Sequence, residues 1–530
     1  MLFEFGAHQE LQLLLLLVCG AALLILSGPL RIPYPILLVV GGLLLGFGPG
    51  VPKVTMPPDL VLVGVLPPLL YVTAFNTGLR EFRQNLRPIS FLSIGLVVAT
   101  TVGVAGVANW VAGIPWAQAF VLGAVVSPTD AIATTALGRR LGVPRRLIDI
   151  LEGESLVNDG TALVLLRTAI AAAVAGSFSI WDAGWHLVVN IVGGVAFGLA
   201  IGYVIRRVRR RLDNPPLEIT IAFLTGYLTF LPATAAGVSG VLAVVTAGVY
   251  MGWYTPELTT VQTRLQGQGF WEIVQFLLNV LLFGLVGLQL RPILDDLSGH
   301  GGWSLVGEGA LIVLAVIVFR FLWVFAAARG IRWLPKRLRE PTPVPPWQHL
   351  AFASWSGMRG AVTIAAALLV PLNTHAGSPL PDRDLIVFFA FAVVLGTLVV
   401  QGLSMPLVIR LLRLEADDSA DEEEALARIR SAEAALARLD ELERERWVFE
   451  DTAARLRGQY RFRIDRFTAR SDPDGDGKIE KRSLKYQRLR RELLDAERRA
   501  VVELRNAGEI SDEVMRRVER DLDLEASRLN

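Results

Sequence analysis

The chain has one cysteine and five histidines in 530 residues. A lone Cys19 excludes a disulfide within the chain and a cysteine-based metal centre. The histidines are scattered with no pair at i,i+4 spacing, so no zinc or haem site is expected. The first ten residues, MLFEFGAHQE, contain no lysine or arginine. A cleaved signal peptide needs a basic leading region, so the apolar run that follows is expected to be a retained helix. Charge of one sign is also missing. The 52 basic and 50 acidic residues leave a formal net charge of +2, which gives no footprint for nucleic-acid binding.

Apolar length is abundant. The mean hydropathy is +0.47, and 52% of residues are hydrophobic. Runs of bilayer-spanning length recur at about 11–28, 35–50, 58–77, 88–112, 117–137, 148–176, 184–205, 218–232, 235–252, 270–290, 304–328, 349–371 and 384–412. Pro232 and Gly237 leave the eighth and ninth short. With thirteen spans and an external N-terminus, the loops expected inside carry 19 Lys and Arg, and the outer ones carry only Lys53, Arg291 and Arg383. Basic residues stay on the cytoplasmic side, so the C-terminus is expected in the cytoplasm. We expect an all-α polytopic membrane domain over 1–413 and a helical cytoplasmic tail over 414–530.

Several spans hold charges that hydrocarbon does not tolerate. The sixth reads IDILEGESLVNDGTALVLL and contains Glu152, Glu154 and Asp159. Intramembrane carboxylates face a cavity, a partner charge or an ion path. Glu152, Ser155 and Asp159 share one helical face, and Glu154 and Asn158 share the next. Ser155 and Asp159 offer oxygens to a small hard cation, and an aspartate can hold a proton instead. Pairing of the acids with arginines is the structural alternative. The fifth span contains VVSPTDAIATTA, where Pro128 removes a backbone donor beside Thr129 and Asp130. A proline kink alone would not need Asp130. The twelfth contains WSGMRGAVTIAAALL, with Arg359 between Gly357 and Gly360. Arg320 in the eleventh and Arg167 in the sixth add buried cations that balance the acids. Two interrupted spans, one in each half, point to a transport site at the interface of inverted repeats.

These residues resemble the NhaP/NHE type of monovalent cation:proton antiporter. The likeness rests on SPTDA at Ser127–Ala131, GESLVND at Gly153–Asp159 and GMRGAVTIAAAL at Gly357–Leu368. LPPLLYVTAFNTGLREFRQNLRPI at Leu66–Ile89, GVSGVLAVVTAGVYMG at Gly237–Gly252 and FWEIVQFLLNVLLFGLVGLQL at Phe270–Leu290 extend it over about residues 10–412. The resemblance implies a bacterial inner-membrane transporter rather than an enzyme, with the fifth and twelfth helices discontinuous and crossing, and a homodimer. It makes Asp159 the carboxylate that binds cation and proton in turn, Asn158 its neighbour, and Ser155 and Thr129 further ligands. Asp130 would balance the helix ends at the break, and Glu154 would pair with Arg359. An Asn-Asp pair, rather than two aspartates, implies electroneutral exchange of Na⁺ or Li⁺ for H⁺. Some relatives carry an acid on the third helix where this chain has Val72 or Thr73; Thr73 and Tyr71 then remain as neutral oxygens. Glu152 and Arg320 are additional candidates. The transported Na⁺ and H⁺ are the only ligands implied.

A K⁺/H⁺ exchanger of the same architecture is the first alternative. A passive channel would need a filter, and no filter-like segment is present. The tail opens with a long amphipathic helix from about Glu415, a second helical segment spans about 483–506, and Ser511 could cap a third. Between them, SDPDGDGKIEKRS begins like a calcium loop with Asp472, Asp474 and Asp476. Ser483 stands where a bidentate glutamate should be, so a solvated turn is the plainer reading.

Overall fold

The computed structural model describes residues 34–47, 60–175, 180–297, 302–330, 345–374, 378–414, 419–445, 447–470 and 478–527, with four helical positions between Val18 and Ile25. Among these residues the architecture is helical, and the one sheet-like feature is an isolated bridge between Asn373 and Pro379. Two compact units emerge, Met1–Ala416 and Asp417–Asn530.

In the first unit the helices are α1 (Tyr34–Gly46), α2 (Leu66–Asn76), α3 (Leu86–Ala112), α4 (Trp116–Val126), α5 (Ile132–Arg140), α6 (Arg145–Ala175), α7 (Ile180–Arg209), α8 (Pro215–Ala235), α9 (Gly240–Leu258), α10 (Val261–Leu288), α11 (Leu290–Asp296), α12 (Gly302–Gly330), α13 (Trp347–Trp355), α14 (Ala361–Leu368) and α15 (Arg383–Leu412). A short helix, Leu79–Gln84, joins α2 to α3. The expected spans from the second onward each have their helices, with α4–α5 and α13–α14 as the two broken ones. The first expected span lies almost wholly outside the described residues.

The two spans that looked short are complete. Asn214 caps α8 by accepting from Leu217 N–H at 3.2 Å, and Pro215 and Pro216 fill the first turn, where no donor is needed. Pro232 sits in the last turn of α8. Gly237 then adopts φ +77° to reverse the chain, and Ser239 caps α9. π-helical turns interrupt regular helix at Leu60–Val65, Phe91–Leu96 and Leu398–Gly402. Such turns free carbonyls from the helical ladder, and Trp323 Nε1 donates to Phe91 O at 3.0 Å.

Helix faces divide by environment. On α12, Ile312, Val316 and Arg320 are fully buried, while Leu311, Leu314, Val318 and Leu322 are exposed. A helix that exposes leucine and valine in a row along its outer face is built for lipid, not water.

The tail unit contains α16 (Ser419–Leu442), α17 (Glu450–Arg470), α18 (Lys478–Asn506) and α19 (Asp512–Ser527). α16 and α17 pair through buried Ala425, Ala432, Leu439, Ala453 and Phe467. Arg457 of α17 donates to Asp440 and Glu443, both at 2.7 Å. Ser511 Oγ accepts from Val514 N–H at 3.3 Å, which caps α19. Helix α17 had no counterpart in the sequence reading, because its polar composition hides a narrow apolar stripe.

Candidate functional site

The site is built where the two interrupted helices meet. α4 ends at Val126 and α5 begins at Ile132; α13 ends at Trp355 and α14 begins at Ala361. The breaks touch directly, with Asp130 N–H donating to Met358 O at 2.8 Å. A side chain on Gly360 would occupy the place of the Asp130 carboxylate, so glycine is needed for this close approach.

Each break exposes helix ends that must find partners. Arg359 serves the C-terminal ends. It is fully buried, its Nε donates to Val126 O at 3.0 Å, and its Nη1 donates to Gly357 O. Its own N–H donates to Thr397 Oγ1 at 3.1 Å. A cation is favoured there because helix C-termini carry partial negative charge. Asp130 serves the opposite end, accepting from Ile132 N–H at 2.9 Å at the start of α5.

The expected pairing of Glu154 with Arg359 is therefore corrected. Glu154 is 1% exposed and pairs with Arg320, also fully buried. The contact is bidentate, with Nη1–Oε1 at 2.5 Å and Nη2–Oε2 at 2.9 Å. Arg320 Nε also donates to Ala353 O at 3.0 Å. Arg359 is held by orphaned helix carbonyls, which leaves Arg320 to neutralise the acid. The pair ties α6 to α12 and, through Ala353, to α13.

A hydrogen-bonded line runs inward from this pair. Thr129 Oγ1 donates to Glu154 Oε1 at 2.7 Å. Asn158 Nδ2 donates to Thr129 O at 3.0 Å and to Thr129 Oγ1 at 2.8 Å. Asn158 Oδ1 is buried without a partner among the described residues. The break in the fifth span is thus fastened to α6 by side chains that sequence spacing had already put on one face.

Beside this line lies a cavity of about 70 Å³. Thr73, Thr129, Asp130, Ser155, Asp159 and Thr363 supply its polar lining, and Leu66, Leu69, Leu70, Leu156, Leu282 and Val362 are among its apolar walls. Asp159 is 8% exposed and, among the described residues, receives no hydrogen bond or ion pair. Ser155 Oγ accepts from Ala131 N–H at 3.4 Å and keeps its place at the wall. Thr73 Oγ1 donates to Leu69 O at 2.8 Å, so an oxygen lone pair remains to face the cavity.

The arrangement leaves one charge unbalanced. Glu154 is offset by Arg320, and Asp130 and Arg359 occupy opposite helix ends of the crossing. Only Asp159 has no fixed counterpart among the described residues. A buried lone carboxylate must take up a proton or a cation.

A family model for the sodium/hydrogen exchanger transmembrane region matches residues 13–411. The chain belongs to the sodium/hydrogen exchanger family. An uncharacterised Na⁺/H⁺ exchanger of Mycobacterium tuberculosis is 38% identical, over 99% of this chain and 96% of the relative. The sodium, potassium, lithium and rubidium/H⁺ antiporter of Bacillus subtilis is 34% identical, over 71% of this chain and 58% of the relative. The fold matches that of the sodium proton antiporter MjNhaP1 of Methanocaldococcus jannaschii at a TM-score of 0.62, with 20% identity over 76% of this chain and 98% of that one.

Within this exchanger, not every predicted site residue reaches the cavity. Asn158 braces Thr129 and does not line it. Glu152 faces Arg139 at 2.7 Å near the exposed end of α6. Arg167 is exposed and offsets none of the buried acids. Tyr71 is buried and does not line the cavity. Asp472, Asp474 and Asp476 lie outside the described residues. Two participants were missed, Thr363 in the cavity wall and Thr397 beneath Arg359. Thr363 stands four residues beyond Arg359 in the twelfth span, a spacing that could have suggested it.

Proposed function

We propose that this exchanger moves Na⁺ outward against H⁺ across a bacterial plasma membrane, with Asp159 carrying the two ions in turn. The observation that carries this reading is the Asp159 carboxylate, without a hydrogen bond or ion pair among the described residues, in a small oxygen-lined cavity at the crossing of two broken helices. Family membership supports cation/proton antiport of the NhaP type and a transporter rather than an enzyme.

The chemistry follows from the residues. With its proton, Asp159 is neutral and tolerated in the protein interior. With a cation, its charge is again cancelled, and the oxygens of Ser155, Thr129, Asp130 and Thr73 replace part of the hydration shell. With neither, the site is a bare buried anion, which disfavours crossing empty. Alternating exposure of this site to the two sides then couples the ions. Asn158 holds no titratable proton, so one carboxylate exchanging one cation for one proton supports electroneutral transport. The loop charge asymmetry supports an external N-terminus and a cytoplasmic C-terminus. A homodimer remains the proposed assembly.

K⁺ is the second reading, because a relative from Bacillus subtilis is named for potassium as well as sodium. Proteoliposomes with an internal pH dye separate the readings. Added Na⁺ or Li⁺ should move protons, and choline should not. A K⁺ response as large as the Na⁺ response would transfer the assignment to K⁺. The apparent KM for Na⁺ should rise as pH falls, by about tenfold per pH unit where the site is protonated, because the ions compete. A pH-independent KM would count against a shared site.

A further inference from the structure

Helix α7 has two faces of opposite character. One is buried on α9: Gly194, Gly198 and Gly202 let the backbones approach, with side chains there blocked by Ser239, Ala243 and Tyr250. The other is apolar and open. Val192 is 62% exposed, Val195 and Leu199 are also exposed, and Tyr203 is 60% exposed. These residues fall three or four apart, so they form one stripe along the helix. The stripe runs into Arg206, Arg207 and Arg210.

Those arginines form a pocket. Tyr203, Arg206, Arg207 and Arg210 line a cleft of about 160 Å³. Arg206 is fixed in place, with its guanidinium 3.4 Å above the centre of the Tyr254 ring and its Nη1 donating to Tyr250 Oη at 3.3 Å. Its Nε is buried and has no partner. Arg207 and Arg210 are exposed. Glu257 acts on Arg206 from a distance, but no ion pair within 4.0 Å forms at Arg206, Arg207 or Arg210 among the described residues. Three cations thus share a cleft with no carboxylate in contact among the described residues.

We propose that this cleft binds the phosphate headgroup of an anionic phospholipid, whose acyl chains lie along the Val192–Tyr203 stripe. Tyrosine is at home at headgroup level, where its ring is apolar and its hydroxyl wet. Arginine presents a fork of donors that matches phosphate oxygens. The continuity of apolar stripe and basic cleft on one helix face selects a molecule with a long apolar part and an anionic end. A second copy of the chain is the less fitting occupant. A two-fold contact along this face would bring like arginine clusters together, and would need an anion between them.

The test uses the full chain in a neutral detergent, read by native mass spectrometry. Phosphatidylglycerol, phosphatidylcholine with the same acyl chains, and inorganic phosphate are titrated separately. Phosphatidylglycerol should remain bound where phosphatidylcholine and free phosphate do not. The double variant Arg207→Gln with Arg210→Gln should bind it about 30-fold more weakly, at ~1 kcal/mol for each arginine near a lipid surface. Arg207→Lys with Arg210→Lys should retain most of the binding. Equal binding of the two lipids by the wild type would overturn the proposal, as would unchanged binding in the glutamine variant. Free phosphate binding as well as the lipid would instead make this a soluble-anion site and would contradict the proposal. Neither variant touches the cavity at Asp159, so proton release on Na⁺ addition to the same preparation reports separately on the transport reading.

Discussion

Asp159 and Asn158 are neighbours in sequence with opposite duties in the fold. Asp159 turns to the cavity with its charge unmatched, while Asn158 turns away and gives both amide hydrogens to Thr129. The amide is needed as a donor. Asn158→Asp would set a carboxylate against the Thr129 carbonyl, removing two bonds and opposing like partial charges. We expect it to lower stability by about 1–3 kcal/mol, measured as the shift in thermal unfolding of the purified protein. An unchanged midpoint would show that this pair of bonds does not hold the break. The sequence placed both residues on α6 and identified both as polar at membrane depth. It put them on adjacent faces of the helix, but it could not give Thr129 as the partner of Asn158, because that contact is made across 29 positions to the broken span.

At the scale of elements, the two broken helices are held by charge. Arg359 gathers the carbonyls at one side of the crossing, Asp130 accepts from the Ile132 amide at the other, and the Glu154–Arg320 pair clamps α6 to α12. Removing one partner of a buried ion pair leaves the other stranded. Glu154→Ala should therefore cost about 3–5 kcal/mol, and the double change Glu154→Ala with Arg320→Met should recover part of it. Thermal unfolding of the four proteins in the cycle tests this; additive losses would deny the pair. The breaks themselves were legible, since Pro128 and the Gly357–Gly360 flanks mark where helix cannot run. The partner of Glu154 was not. Two buried arginines were available, and the choice depends on which of them is already engaged by orphaned carbonyls, a property of packing across 166 positions of sequence separation. The π turns were equally hidden, because nothing in FLSIGL forbids regular helix.

For the whole molecule, hydrophobic length carried most of the information. Alternating apolar runs gave the spans, and polar composition gave the tail as a second unit, which the structure divides from the first at Ala416. Helix α17 escaped because arginines and acids outnumber its apolar positions. The proposed orientation has a direct check. In a Cys19→Ser background, a cysteine in place of Arg211 should react with an impermeant reagent only from the cytoplasmic side, and one in place of Arg291 only from outside. The reverse labelling would invert the topology.

The central claim is that one carboxylate holds either ion. The most direct measurement is proton release when Na⁺ is added to the purified chain in weakly buffered detergent solution. The account predicts about one proton released per Na⁺ bound, saturating with Na⁺ and absent in a folded Asp159→Asn variant. Na⁺ binding without proton release, or equal release by the variant, would contradict it.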